Sequence, residues 1–260
     1  MTKEAVREDA DRDFIAGLRK GLAVIECFDD EHERLTSADV AVMTGLSRAA
    51  ARRCLLTLHK LGYAYYDGKL FSLSPRVLRL GYAYLLSTPL AQLFQPFLEH
   101  LNERVQECCS VTILDGNEIV HIAYAATKRL IAGGVGVGTR FPAYCTSMGR
   151  VLLAALDPDE AMHRLHAAER RRITPFTRTA IDDIAGILDE VREAGYCLAD
   201  QEHTVGVATL SVPLLNAAGR TVASANVLTL ATRVPAADMA ARFLPDLLEM
   251  QKNLRPLIRA

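Results

Sequence analysis

The sequence predicts an α+β protein: a winged helix-turn-helix, then a linker helix, then a larger domain built on an antiparallel sheet. Three observations carry that expectation. Helix, glycine turn and a second helix follow one another early in the chain, with cations gathered on one face of the second. An Asp67-Gly68 hairpin comes directly after. Beyond residue 89, helical and alternating segments are intermixed, as in a sheet flanked by helices.

With 260 residues, 50% of them hydrophobic, the chain can bury one or two sizeable cores. The formal net charge of -1, from 30 Lys and Arg against 31 Asp and Glu, excludes a globally basic coat, so any nucleic-acid site must be local. Such a site is visible: between residues 47 and 88 stand Arg48, Arg52, Arg53, Lys60, Lys69, Arg76 and Arg79 against Asp67 alone, a local charge of +6. The chain has no apolar run near the roughly 20 residues that span a bilayer and lacks an apolar leader at its start, so a cytoplasmic location is expected. Its six cysteines form no CxxC pair, which points to reduced, mostly buried thiols and to no metal site.

Leu18, Leu22 and Ile25 give the stretch 14–28 a helical period. Thr36 stands three residues before Asp39, a capping pair for a helix over 37–44. Gly45-Leu46-Ser47 supplies the turn, and a longer helix follows over 48–61. On its wheel Ala50, Ala51, Cys54, Leu55, Leu58 and Leu61 face inward. Arg48, Ala49, Arg52, Arg53, Leu56, His59 and Lys60 face outward, with Leu56 expected to pack on a neighbour. The small Ala49 and Ala50 let the backbone approach a groove, so Ser47, Arg48, Ala49, Arg52, Arg53 and, in the wing, Lys69 are the DNA-binding candidates. Tyr65 and Tyr66 read as packing residues of the wing. After Pro75 an apolar-rich helix over 76–86 stops before Pro89. The expected organisation is a tail, 1–13; a winged helix-turn-helix domain, 14–74; a linker helix, 75–88; and a larger domain, 89–260.

In that larger part we expect a helix over 90–107 (Leu93, Phe97, Leu101, Val105), a hairpin over 109–124 turning at Asp115-Gly116-Asn117, and a strand over 129–137 running into Gly138. Helices follow over 147–156, over 158–168 with Asp157 as cap, and over 180–194. Strands over 196–199, 207–215 and 221–230 precede a last helix over 236–258.

The glycine-rich run 133–138 lacks the Gly-Lys-Ser/Thr of a phosphate loop and opens no helix, so it reads as close backbone approach. Cys145 and Ser147 lack a nucleophile elbow. Ser147 and Met148 instead open a helix, whose free N–H groups would suit a carboxylate as well as they suit an ordinary cap. Asp200-Gln201-Glu202-His203 and Arg170-Arg171-Arg172 read as solvated turns, and His163 with His166 as surface residues. Asn226, inside an apolar strand, needs a side-chain or ligand partner.

Taken together, the residues resemble the IclR family of bacterial transcription regulators over 14–258. Thr44-Gly45-Leu46-Ser47-Arg48, Arg53-Cys54-Leu55-Leu56-Thr57-Leu58 and Leu61-Gly62-Tyr63 are similar to its DNA-binding signature. The run from Pro142 to Ala154, Asp200-Gln201-Glu202, Gly206 and Ser211-Val212-Pro213-Leu214 are similar to its effector-domain signature. Lys128-Arg129-Leu130-Ile131, the string from Cys145 to Arg150 and Asp200-Gln201-Glu202 together resemble the branch governing aromatic-acid catabolism through the β-ketoadipate pathway, whose members activate or repress in response to acids such as 4-hydroxybenzoate, protocatechuate or β-ketoadipate. The resemblance implies a GAF-like effector-binding domain, homodimers or tetramers, a palindromic operator and no cofactor. By matching motifs it puts the effector pocket on Ser147, Met148, Asp200, Thr209, Asn226 and Leu228, and Arg129 is the candidate for a second charge contact. Ala50 stands where many members carry a longer polar side chain, and Gly206-Val207-Ala208 lacks the branch's usual Leu-Arg. The competing expectation is a small-molecule hydrolase or transferase using Cys145 or Ser147.

Overall fold

A computed structural model of the chain describes residues 14–29, 31–87, 89–127 and 135–258. They divide into two compact units, Met1–Tyr84 and Leu85–Ala260. The tail 1–13 and the start of the strand expected over 129–137 lie outside the described residues.

The first unit contains α1 (Ala16–Ile25), α2 (Ser37–Thr44), α3 (Arg48–Lys60) and a hairpin of β1 (Ala64–Tyr66) and β2 (Phe71–Leu73). Capping fixes α2: the Thr36 hydroxyl accepts from the N–H groups of Ala38 and Asp39, and the Asp39 carboxylate takes the Thr36 N–H at 2.8 Å. Gly45 ends it at φ 69°, a left-handed conformation that a Cβ disfavours. Val24, Val40, Ala51, Leu55 and Leu58 then meet Phe71 in one core. Leu56 packs half-buried against that core, as expected of the misfit. Leu61 corrects the wheel: it caps α3 and is 54% exposed. Tyr66 stacks on Phe71 with ring centroids 4.2 Å apart, whereas strand alternation turns Tyr65 outward, so only one of the two tyrosines packs the wing. A 3₁₀ turn at Pro75–Val77 leads into α4 (Leu78–Ser87).

The second unit runs α5 (Pro89–Val105), β3 (Cys108–Asp115), β4 (Glu118–Ala125), β5 (Arg140–Pro142), α6 (Ser147–Ala154), α7 (Pro158–Ala167), α8 (Ile181–Ala194), β6 (Cys197–Asp200), β7 (Val207–Leu215), β8 (Thr221–Leu230) and α9 (Ala236–Leu254). Its six strands lie in the order β5-β4-β3-β8-β7-β6, every pair antiparallel. Both faces of the sheet are covered, which is why β7 and β8 are nearly continuous runs of buried residues. On one face Phe94, Leu98 and Leu101 of α5 and Phe243 and Leu247 of α9 pack on Val111, Leu210 and Val227. On the other, Ile119 and Cys197 meet Met148, Leu153, Leu165, Ile184 and Leu188 from α6, α7 and α8.

Two expectations change here. The fully buried stripe of α5 is Ala91, Phe94, Leu98, Leu101 and Val105, so Leu93 and Phe97 lie at its margin. The described part of the expected strand 129–137 is a turn, closed by Gly138 at φ 91°, and β5 follows it.

All eight residues of α6 are buried. The helix starts hard against the 3₁₀ turn Ala143–Cys145, where a Cβ on Gly149 would stand 2.2 Å from the Ala143 carbonyl oxygen and 2.3 Å from its Cα. Both obstacles are backbone and cannot rotate away. Gly149→Ala is therefore expected to destabilise the second unit by about 3 kcal/mol, the upper end for an overpacked core, read as a lower urea midpoint for that unit's transition.

Candidate functional site

In the first unit, the Ser47 hydroxyl caps α3 by accepting from the Ala50 N–H at 3.2 Å. Arg48, Ala49, Arg52, Arg53 and Lys60 are all exposed, and among the described residues none of these cations is ion-paired. A surface that leaves so many cations uncompensated at the start of a helix with small residues is suited to phosphates and base edges. Lys69 sits at the wing tip. There the Asp67 carboxylate accepts from the N–H groups of Leu70 at 2.7 Å and Lys69 at 2.9 Å, which with the Arg34 guanidinium hold it below the usual carboxylate range. The wing is thus pinned by its one acidic residue, and among the described residues its lysine has no ion-pair partner. Arg53 lies toward α1, on the rim of an apolar groove shared with Leu18, Leu22 and Leu58.

In the second unit, a cavity of about 360 Å³ opens between the start of α6 and the strands β6, β7 and β8. Cys145, Thr146 and Met148 form one wall, Thr209 and Leu228 the sheet side, and Glu202, His203 and Phe141 the remaining wall. The first turn of α6 is open toward it. Thr146 caps the helix through the Gly149 N–H, and no acceptor among the described residues takes the N–H groups of Ser147 or Met148.

Of the residues expected at this pocket, Met148, Thr209 and Leu228 come together on its wall. Ser147 lies behind it, fully buried, its hydroxyl 2.8 Å from Thr209 Oγ1 and 2.6 Å from Ser211 Oγ, so it can offer only its backbone. Asn226 finds a side-chain partner rather than a ligand, since the Ser110 hydroxyl donates to its Oδ1. Asp200 is exposed because alternation along β6 turns Ala199 inward instead. Arg129 lies outside the described residues.

The solvated turn expected at 200–203 is a correction. Glu202 is buried and forms a bidentate ion pair with Arg150, Nη1 and Nη2 each 2.6 Å from a carboxylate oxygen. Arg150 Nε also donates to the Tyr144 carbonyl at 3.0 Å, and the Arg178 N–H donates to Glu202 at 3.1 Å. Thr174 and Thr177 bond the Glu202 carbonyl. Arg170 is a second correction, because its guanidinium braces the carbonyls of Leu165, Ala168 and Thr179 rather than facing water. His163 and His166 are exposed, as expected. The sequence showed cation and anion here but nothing that paired them across 52 positions.

Chemically the cavity offers open N–H groups, a hydroxyl and apolar walls. Burial pushes the Cys145 thiol up to about 11, and its hydrogen bond to the Pro142 carbonyl is a long one, 3.9 Å. Neither Cys145 nor Ser147 is hydrogen-bonded to a histidine that could activate it, among the described residues. Burial, and then the nearby His203, push His121 down to about 4.

Comparison with known proteins matches both units. The IclR helix-turn-helix domain fits residues 17–68, and the C-terminal domain of the bacterial transcriptional regulator IclR fits residues 82–254. The chain is 43% identical over 245 residues to the Pca regulon regulatory protein of Pseudomonas putida, covering 94% of this chain and 84% of that protein. It is 38% identical over 251 residues to the p-hydroxybenzoate hydroxylase transcriptional activator of Acinetobacter baylyi, covering 95% and 93%. Among solved structures, a putative transcriptional regulator from Rhodococcus sp. RHA1 aligns with a TM-score of 0.80 at 44% identity over 93% of this chain and 97% of that one. The inducer-binding domain of the PobR transcription factor from Acinetobacter, a double mutant in complex with 3-hydroxybenzoic acid, aligns with a TM-score of 0.60 at 32% identity over 64% and 98%.

Two outcomes follow from the buried charges. Arg150→Ala strands the Glu202 carboxylate in the interior and should cost about 3 to 5 kcal/mol, whereas Arg150→Met with Glu202→Met should recover most of it, as thermal unfolding of the three proteins will register. For His121 the unfolded chain takes up the proton first, its value being 6.5 against about 4 when folded. Its contribution to stability is complete above that range and is lost as pH falls through it, by about 3 kcal/mol. Urea titrations from pH 7 to 4 should show that slope in the wild type and its loss in His121→Phe.

Proposed function

The chain belongs to the IclR family of bacterial transcriptional regulators, and we propose that it controls an aromatic-acid catabolic operon in response to a small carboxylic acid. The observation that carries this reading is the open first turn of α6 against a largely apolar cavity of about 360 Å³. The N–H groups of Ser147 and Met148, with the helix dipole behind them, suit a carboxylate. Thr209 supplies a hydroxyl to the ligand, and Met148 and Leu228 hold its apolar body. Asn226 and the Ser147 side chain act from behind, by positioning the strands and the helix. The relatives' aromatic-acid regulation and the hydroxybenzoate held by the PobR domain support an aromatic or ring-cleavage acid.

On DNA, α3 enters the major groove, with Arg48 and Arg52 at base edges, Arg53 and Lys69 on phosphates, and Ser47 and Ala49 close to the backbone. The operator is palindromic because the reading unit is a homodimer. Support for a second copy comes from the first unit's apolar surface: Ile15, Leu18, Leu22, Leu61 and Leu80 are exposed, and all but Ile15 line a groove of about 620 Å³. The acid can change DNA affinity only by binding two arrangements of the protein unequally, and α4, which connects the two parts of the chain, is the element through which they differ.

The test is an operator titration with duplexes from the DNA flanking the gene, with and without 4-hydroxybenzoate, protocatechuate or β-ketoadipate. Arg48→Ala and Arg52→Ala should each weaken specific binding by about 1 to 3 kcal/mol. Lys69→Ala should flatten the salt dependence and leave sequence preference intact. Equal binding by wild type and the double arginine variant, or an affinity that no acid alters, would sink the respective half of the reading.

A further inference from the structure

Two neighbouring side chains beside the pocket carry polar atoms with no partner. Among the described residues, both ring nitrogens of His121 and the hydroxyl of Thr112 are buried without a hydrogen bond. The residues themselves are 3% and 0% exposed. Interiors seldom tolerate this, and a set of such atoms in one place calls for a reason.

The register of the sheet shows that they belong together. Thr112 on β3 and His121 on β4 are direct partners across an antiparallel pair, so their side chains share a face. Alternation makes it the α6 face: Ile119, two residues before His121, and Leu114, two after Thr112, both pack with the α6 core. The hydroxyl of Thr229, also unpartnered, alternates with the cavity-lining Leu228 and so belongs to the opposite face. One aromatic ring touches both His121 and the cavity. Phe141 lines the cavity, meets the His121 ring edge-on at 5.5 Å between centroids, and packs on His203 at 4.2 Å. The backbone around it is anchored, since the His121 N–H donates to the Thr139 carbonyl and the Gly138 N–H to the His121 carbonyl.

Resting on the effector reading above, we propose that Thr112 and His121 form a subsite of the pocket that recognises a ligand hydroxyl when the Phe141 ring turns aside, so that the preferred effector is a hydroxylated ring acid. A neutral imidazole offers one lone pair and one N–H, and a threonine hydroxyl offers both roles again. A phenolic hydroxyl, donor and acceptor at once, can partner one ring nitrogen and the threonine hydroxyl together. A second carboxylate does not suit them: it brings a charge and only acceptors to a pair that has no cation, because burial keeps His121 neutral. An unsubstituted ring leaves the pair as unsatisfied as before, and that difference is the source of selectivity.

The experiment is calorimetry of 4-hydroxybenzoate, benzoate and β-ketoadipate against wild type, Thr112→Val and His121→Phe, with a melting curve for each protein. Wild type should bind 4-hydroxybenzoate at least about tenfold more tightly than benzoate and than β-ketoadipate. Each variant should lose that preference while its benzoate affinity stays within about twofold. Because each replaces unpartnered polar atoms with apolar ones of similar shape, each should melt at or above the wild-type temperature, which a merely structural role would not produce. Thr112→Val, nearly isosteric, carries the test if His121→Phe disturbs the sheet. Equal wild-type affinity for the two ring acids, tighter binding of β-ketoadipate, or variants that keep the preference would each overturn the subsite and leave the effector reading standing. A wild type that binds none of the three acids overturns both.

Discussion

The second unit is organised around one buried ion pair. Arg150 projects from a helix with no exposed residue, and Glu202 comes from the segment between β6 and β7, so their bidentate contact ties the helix to the opposite wall of the cavity. Removing two charges from water is costly, and the contacts around the pair offset that cost: the Tyr144 carbonyl on the guanidinium, the Arg178 N–H on the carboxylate, and two threonine hydroxyls on the Glu202 carbonyl. The same constraint bends the chain. Gln201 adopts a positive φ of 59°, and its side-chain oxygen accepts the Gly206 N–H, which carries the segment over the cavity and into β7. With the pair neutral overall, the open N–H groups at the start of α6 remain the pocket's uncompensated positive pole.

The first unit solves a different problem with local means. Its elements are short, and each is held by side-chain caps or a pinned turn: Thr36 with Asp39, Ser47 on α3, Asp67 in the wing. The two acidic residues among these are consumed by N–H groups nearby. What remains on the outer face of α3 is positive, so a chain of nearly zero net charge presents a cationic helix without any large basic excess.

The sequence was most legible where the controlling interaction is local. The capping pair at Thr36 and Asp39 gave α2 to the residue, and alternation between turn signals gave β7 and β8 their full lengths. The wheel of α3 placed its arginines outward because a helix face is a property of spacing alone. It erred at Leu61, where the helix ends and periodicity no longer governs. The pocket was less legible, for a physical reason. Arg150 meets Glu202 across 52 positions, and Ser110 meets Asn226 across 116, with nothing in the local pattern to announce either partner. Asp200 was attached to the pocket by motif, and a single step of strand alternation turned it outward. His121 drew no attention in the sequence, since an isolated histidine in an apolar strand has no local signature.

The row of hydroxyls that runs from Thr209 on the pocket wall to Ser147 and Ser211 behind it separates the polar anchoring of α6 from the apolar lining. Ser147 and Ser211 spend their side chains on each other and on Thr209, and Arg150 holds Glu202, so the orientation of α6 rests on the polar members of the wall and not on its apolar ones. Ala199, Val207, Leu228 and Leu230 can exchange volume without loosening that anchor. A protein built in this way is evolvable in a specific sense: after gene duplication its apolar walls can drift toward a new ligand while the fold and the open helix start are inherited unchanged.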